Sequence, residues 1–289
     1  MAIESIRYDP TASFDVLEED VEYRREDGQS WLARVIRPVG DGPFPALLDV
    51  HGGVWTSGDR TSDAPIHRPL AASGLVVVAI DFRLAPKHPY PVTVIDVNYA
   101  TRWLKTHAGD FNATADALGV RGGSSGGHLA MLSAMRPRDP RYSAVPLPEN
   151  SAADASVAYV VACWPILDPY ARYFFAQETG RTELITRTEG HFPTEDVMQE
   201  GNPQLILDRG EPADLPPALI IQGTLDENVT PTMQERFVRS YRARGGSVDL
   251  ELFEGMAHSF IKRAGGPQSV RALDLIKSFI ARQLAREAR

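Results

Sequence analysis

The sequence predicts an α/β fold built on a mostly parallel, eight-stranded sheet flanked by helices. Three observations predict it. Eight short apolar runs, rich in Val, Ile and Leu, end in Gly, Asp or Pro, as strands buried on both faces do. Helical patterns alternate with the later runs, which calls for right-handed crossovers between parallel strands. The chain has 289 residues, 43% hydrophobic and 24% charged, enough for one domain spanning 1–289 with a sizeable core.

The elements follow in order. Val21–Arg24 and Trp31–Arg37 flank the turn signal Glu26-Asp27-Gly28-Gln29, and together predict an N-terminal antiparallel hairpin. Further strands are expected at Pro45–Val50, Leu75–Ile80, Leu118–Arg121, Val157–Cys163, Ala218–Gln222 and Val248–Phe253. Val92–His107 reads as a helix, with Val92, Ile95, Tyr99, Trp103 and Leu104 near one face. Gly126–Met135 is a small, apolar helix. Pro231–Arg244 and Pro267–Arg286 are amphipathic and start near Pro, whose missing N–H costs little in the first turn. Arg136–Ser156 reads as a surface excursion. Pro165–Pro217 is a long insertion that mixes aromatics with a helical piece at Glu195–Leu207, and residues 165–217 are expected to form a small cap.

The formal net charge is −8. That argues against a nucleic-acid partner, which calls for a basic face, and against a polybasic membrane anchor. The lone cysteine, Cys163, sits in an apolar run and reads as a buried thiol. Met1–Pro10 shows no basic stretch followed by an apolar one, so no signal peptide is expected. No apolar run approaches the ~20 residues that span a bilayer. A cytoplasmic protein is the expectation.

The chemistry concentrates in Leu118–Ala130, where a strand runs into glycines, a serine, more glycines and a helix. This is the setting of a nucleophile elbow, a tight turn that favours glycine two positions either side of the nucleophile. The pattern fits Ser124, flanked by Gly122 and Gly126, and also Ser125, flanked by Gly123 and Gly127. Ser124 is favoured: the third position beyond it is Gly127, whereas Ser125 would have the bulky His128 there. A glycine-rich phosphate loop is disfavoured, because no Lys-Ser/Thr follows and no dinucleotide spacing is present.

Serine needs a base, and the base an orienting acid. Asp226 follows the Ala218–Gln222 strand and His258 follows the Val248–Phe253 strand, giving the chain order Ser, Asp, His beyond successive strand ends. Glu227 is the alternative acid. Asp49–Asp59 begins at a strand end with His51-Gly52-Gly53-Val54-Trp55. Backbone N–H groups of Gly52, Gly53 and Ser125 are the candidate oxyanion donors, each worth ~3 kcal/mol in such sites. His51 reads as a loop-shaping residue. His67, His88, His107, His128 and His191 show no paired metal-ligand spacing, so neither metal nor cofactor is expected.

Together these motifs resemble the hormone-sensitive-lipase-like bacterial carboxylesterases of the α/β-hydrolase superfamily, from about Val35 onward. Asp81-Phe82-Arg83-Leu84-Ala85-Pro86, continuing to Pro91 and followed by Asp96, is close to a family signature. The resemblance implies an α/β-hydrolase fold and a bracing role for that Asp and Arg. The family elbow usually reads Gly-Asp-Ser-Ala-Gly-Gly; here it is Gly122–Gly127, which supports the Ser124 register. Where the family commonly has a third glycine after the oxyanion-loop histidine, this chain has Val54. His-Gly-Gly-x-Trp is also similar to kynurenine formamidases and feruloyl-esterase-like enzymes.

The implied reaction is acyl transfer from a small ester through an acyl-enzyme, with Ser124 as nucleophile, His258 as base and Asp226 as its orienter. An amide or formamide is the rival substrate, and a non-catalytic ligand-binding homologue a third reading that the intact set argues against. Val54, Trp55, Trp164 and Tyr170 are candidate pocket residues, with Tyr173, Phe174 and Phe175 close by in sequence. The resemblance also allows a homodimer through the last strand or the C-terminal helix.

Overall fold

A computed structural model describes residues 8–287, so most of the N-terminal stretch read for a signal peptide lies outside it. The eight strands are β1 (Val16–Glu26), β2 (Gln29–Pro38), β3 (Phe44–Val50), β4 (Val76–Ile80), β5 (Ala113–Gly123), β6 (Tyr159–Cys163), β7 (Ala218–Gly223) and β8 (Val248–Phe253). They form one sheet in the order β1-β2-β4-β3-β5-β6-β7-β8. The β1–β2 and β2–β4 pairs are antiparallel and the others parallel. The expected hairpin and parallel sheet are both present, with longer outer strands than the apolar runs alone indicate. Cross-strand pairs such as Asp20 with Arg34 carry the β1–β2 ladder beyond its apolar stretch.

The central strands are apolar at nearly every position because helices cover both faces. Side chains alternate between two cores. Leu48, Val78, Val160 and Ile220 point toward α2 (Val92–His107), α3 (Ser125–Met135) and α8 (Pro231–Ala243), meeting Val97, Leu129, Leu132 and Phe237. Leu47, Val77, Val161 and Leu219 point the other way, toward α1 (Ala64–Ala72) and α9 (Pro267–Glu287), meeting Leu70, Ile276 and Ile280. The α1 helix is absent from the sequence reading: Pro65 and Pro69 obscure it, and burial of Ile66, Leu70 and Ala71 holds it despite a proline inside.

The insertion between β6 and β7 folds as α4 (Pro169–Glu178), α5 (Thr182–His191), α6 (Glu195–Glu200) and α7 (Pro203–Asp208). The single helical piece expected at Glu195–Leu207 is therefore two helices. Pro203 has no N–H to continue α6, and Asn202 caps the new start by accepting from Leu205 N at 3.1 Å. Asp168 ties the insertion together, accepting from Ala171 N, Asn202 Nδ2 and Arg236 Nη1 at 2.9–3.0 Å. Among the described residues no helix is long and apolar enough to cross a membrane.

Candidate active site

The end of β5 turns sharply into α3, and Ser124 occupies the turn at φ 54°, ψ −121°. The turn is locked by Ser124 N donating to Cys163 O and by the Ser124 carbonyl accepting from Ile166 N and His128 N. The glycine pattern has a steric cause: a Cβ on Gly126 would collide with the carbonyls of Val50 and His51, so α3 can start this close to β3 only without a side chain there. The two serines separate cleanly. Ser124 faces His258, whereas Ser125 is the first helical residue and its Oγ accepts from Trp55 N at 3.1 Å.

His258 and Asp226 come from the loops after β8 and β7, adjacent strands in the sheet. His258 Nε2 lies 3.1 Å from Ser124 Oγ, and His258 Nδ1 donates to Asp226 Oδ2 at 2.7 Å. That bond puts the ring proton on Nδ1 and leaves the Nε2 lone pair to face Ser124 Oγ, with Asn228 Nδ2 a more distant donor at 3.4 Å. Asp226 Oδ1 accepts the backbone N–H groups of Asn228 and Val229, and Oδ2 also accepts from Gln222 Nε2 at 2.9 Å. Burial works to raise the Asp226 carboxyl; the bond and charge of His258, helped by these donors, overcome it and hold the group below its ordinary value. Glu227 points elsewhere, exposed and paired with Arg181 at 2.9 Å.

The loop after β3 brings Gly52 against the nucleophile: a Cβ there would stand 3.2 Å from Ser124 Cβ. Among the described residues the amides of Gly52 and Gly53 have no hydrogen-bond acceptor, so both are available to a ligand oxygen. His51 stacks on Phe82 and donates from Nδ1 to Gly52 O at 2.7 Å, which shapes the loop. Ala85 N donates to Trp55 O, and Asp81 accepts the Arg60 N–H and guanidinium. Arg83 grips Asp96 through Nε and Nη2 at 2.7–3.1 Å. The Asp81–Pro91 segment thus holds the loop after β3 at Trp55 and Arg60.

Two aromatic candidates lie deeper than a pocket lining would. Trp55 is 1% exposed, stacked on His191 with ring centroids 4.6 Å apart, and its Nε1 donates to His128 Nδ1. His128 Nε2 in turn donates to Gly201 O at 2.7 Å, and burial pushes this imidazole down to about 4, so it stays neutral. Trp164, also 1% exposed, packs edge-on to the His258 ring at 6.0 Å. Val54 and Tyr170 are partly exposed, and Tyr170 Oη donates to Glu195 in the insertion. A 390 Å³ cavity lined by Arg181, Thr182, Glu183, Leu184 and Asn228 opens where the insertion meets the acid loop.

Sequence reasoning missed a buried charge cluster behind the site. Arg121 of β5 pairs with Asp49 of β3 and with Asp63, the residue before α1. Lys262, four residues beyond His258, also pairs with Asp63, and His67 lies 3.0 Å from Asp49. Asp49, Asp63 and His67 bring possible metal-ligand atoms within 4.8 Å of one another, but Arg121 and Lys262 already supply the cations these carboxylates need. The hydrophobic neighbours of Arg121 give no hint of it; an arginine inside an apolar strand run was the one available signal.

The sequence model of the family described as alpha/beta hydrolase fold matches residues 47–262. The Mycobacterium tuberculosis esterase LipC is 34% identical over 227 residues, 75% of this chain and 53% of the relative. The carboxylic ester hydrolase LipN of the same organism is 31% identical over 268 residues, 86% of this chain and 66% of the relative. The chain thus spans only about half to two thirds of these relatives' length. Among solved structures, esterase B from Lactobacillus rhamnosis superposes with a TM-score of 0.78 at 19% identity, covering 96% of this chain and 88% of that one. A thermophilic esterase from Thermogutta terrifontis gives 0.73 at 24% identity, covering 92% and 94%. At these identities the likeness is one of fold.

Proposed function

The chain belongs to the α/β-hydrolase family matched over residues 47–262, and from that premise we propose that it is a serine carboxylesterase acting on a small ester. The observation that carries the reading is the continuous hydrogen-bonded line from Ser124 Oγ through His258 to Asp226, with gaps of 3.1 and 2.7 Å, beside two unpaired glycine amides. The esterase names of the relatives support the substrate class.

In this reading His258 Nε2 takes the Ser124 proton as Oγ attacks the acyl carbonyl. The charge that develops on the carbonyl oxygen is met by the amides of Gly52, Gly53 and Ser125. Asp226 stabilises the imidazolium, which then protonates the departing alcohol. Water, deprotonated by the same histidine, releases the acid from Ser124. Residues 165–217 act as the cap, and Val54 and Tyr170, with the cavity at Asn228, are the surfaces left to contact substrate.

The test is a paired initial-rate assay on a short-chain aryl ester and on the matched anilide and formamide, with Ser124→Ala as control. Fast ester turnover that the variant loses is the expected result. Efficient anilide or formamide cleavage, lost in the same variant, would move the assignment to an amidase. Turnover that survives Ser124→Ala would overturn the role of the serine.

A further inference from the structure

Arg172, on α4 of the insertion, is fully buried, and among the described residues no carboxylate pairs with it. Its Nε and Nη2 both donate to Asn228 Oδ1, at 2.9 and 2.7 Å, and its Nη1 donates to Thr188 Oγ1 at 3.2 Å. Burial pushes the guanidinium down to about 10, and Asp226 is the negative group whose field opposes that. A buried cation held by neutral oxygens alone is costly. That cost calls for a role.

The role is visible at Asn228. An arginine carries donors only, so the Asn228 side chain must turn its oxygen toward Arg172. Its NH₂ is thereby aimed at His258, with Nδ2 3.4 Å from Nε2. The Asn228 backbone N–H meanwhile donates to Asp226 Oδ1 at 2.9 Å. One residue thus touches both the acid and the base, and its orientation is set from the insertion.

We propose that Arg172 is a positioning residue for Asp226 and His258, acting through Asn228, so that the insertion is keyed into the acid–base pair. The inference rests on the serine-hydrolase reading above. It gives α4 a fixed place during turnover: a lid that lifted α4 away would release Asn228 and misalign His258.

The experiment measures, on the full chain, the rate at which a fluorophosphonate labels Ser124, read by intact mass, together with kcat and KM on a short-chain aryl ester. Wild type against Ser124→Ala tests the hydrolase reading by itself, since labelling lost in that variant needs no knowledge of the natural substrate. Arg172→Met, Arg172→Lys, Asn228→Ala and the Arg172→Met/Asn228→Ala double variant test the proposal. Arg172→Met is expected to slow labelling and kcat by about tenfold to a hundredfold, the scale of small misplacements in a site, with KM little changed. Arg172→Lys should recover part of the loss, and the double variant should be no slower than the worse single one. Multiplied losses in the double variant, or wild-type labelling rates in Arg172→Met, overturn it. Should Arg172→Met fail to fold, Arg172→Lys and Asn228→Ala decide, and wild-type labelling in both overturns it equally.

Discussion

At Ser124 the chain holds a non-glycine residue at φ 54°, a conformation that costs ~1–3 kcal/mol and persists only where neighbours enforce it. The enforcement is steric as well as hydrogen-bonded. Gly126→Ala would press a methyl group onto the Val50 and His51 carbonyls; it should destabilise the fold by ~1–3 kcal/mol and displace the elbow, seen as a lower urea midpoint with most esterase activity gone. Ser125→Ala loses only the bond from Trp55 N. It should cost ~1 kcal/mol of stability and leave most turnover, and an inactive Ser125→Ala beside an active Ser124→Ala would reverse the two serines' roles. Asp226→Asn keeps the shape but frees the imidazole tautomer. Its kcat should fall by ~10⁴, measured on the same aryl ester. Ser124, Asp226 and His258 were legible as the candidate triad because each lies beyond a strand end, where the proposed chemistry needs its residue type. Asn228 and Gln222 were not, since a buried amide carries no sequence mark until its partners are known.

The elements around the site are joined by charges in places where strands usually carry only apolar residues. Arg121 lies three residues before Ser124, Asp49 two before His51, and Lys262 four after His258, so one cluster ties together β5, β3 and the loop that carries His258. Arg121→Leu would leave Asp49 buried without its guanidinium and Asp63 with Lys262 alone, and should cost ~3–5 kcal/mol in denaturant unfolding. Burial works to raise both carboxyls, but Arg121, joined by Lys262 at Asp63, holds them below the ordinary value of 3.8. Groups whose folded pKa is depressed contribute stability that is full above the unfolded value and is lost as pH falls through the folded one. Unfolding midpoints should therefore hold near neutrality and drop below about pH 4, and the acid-side slope should shrink in Arg121→Leu. The insertion's helices were the least legible elements. Their starts are written as Asp168-Pro169, Thr194-Glu195 and Asn202-Pro203, cap signals that stand out once the helices are known. Their short lengths leave too little periodicity to detect.

For the whole molecule, the sheet is the frame that everything else depends on. Asp226 and His258 meet only because β7 and β8 are neighbours, and the Gly52–Gly53 loop meets Ser124 only because β3 lies beside β5. Stability and chemistry should be separable on this frame. Phe279, on α9, packs against Tyr159 on the α1/α9 face of the sheet. Phe279→Ala should cost ~3–5 kcal/mol while turnover per folded molecule stays near wild type. A matching loss of kcat would show that the α9 core transmits strain to the site. The sequence by itself determined the α/β architecture and the strand runs, and it set the glycines, Ser124, Asp226 and His258 beyond strand ends that the sheet brings together. The strand runs and the glycine pattern are short-range demands, a period of alternation or a steric need for glycine, each complete within about a dozen residues. Only the tertiary structure decided that Trp55 and Trp164 turn inward, that Arg121 anchors a buried cluster, and that Arg172 reaches Asn228 across 56 positions of chain. Those pairings depend on which strands and helices become neighbours, and the apolar pattern that builds the sheet carries no record of partners so far apart.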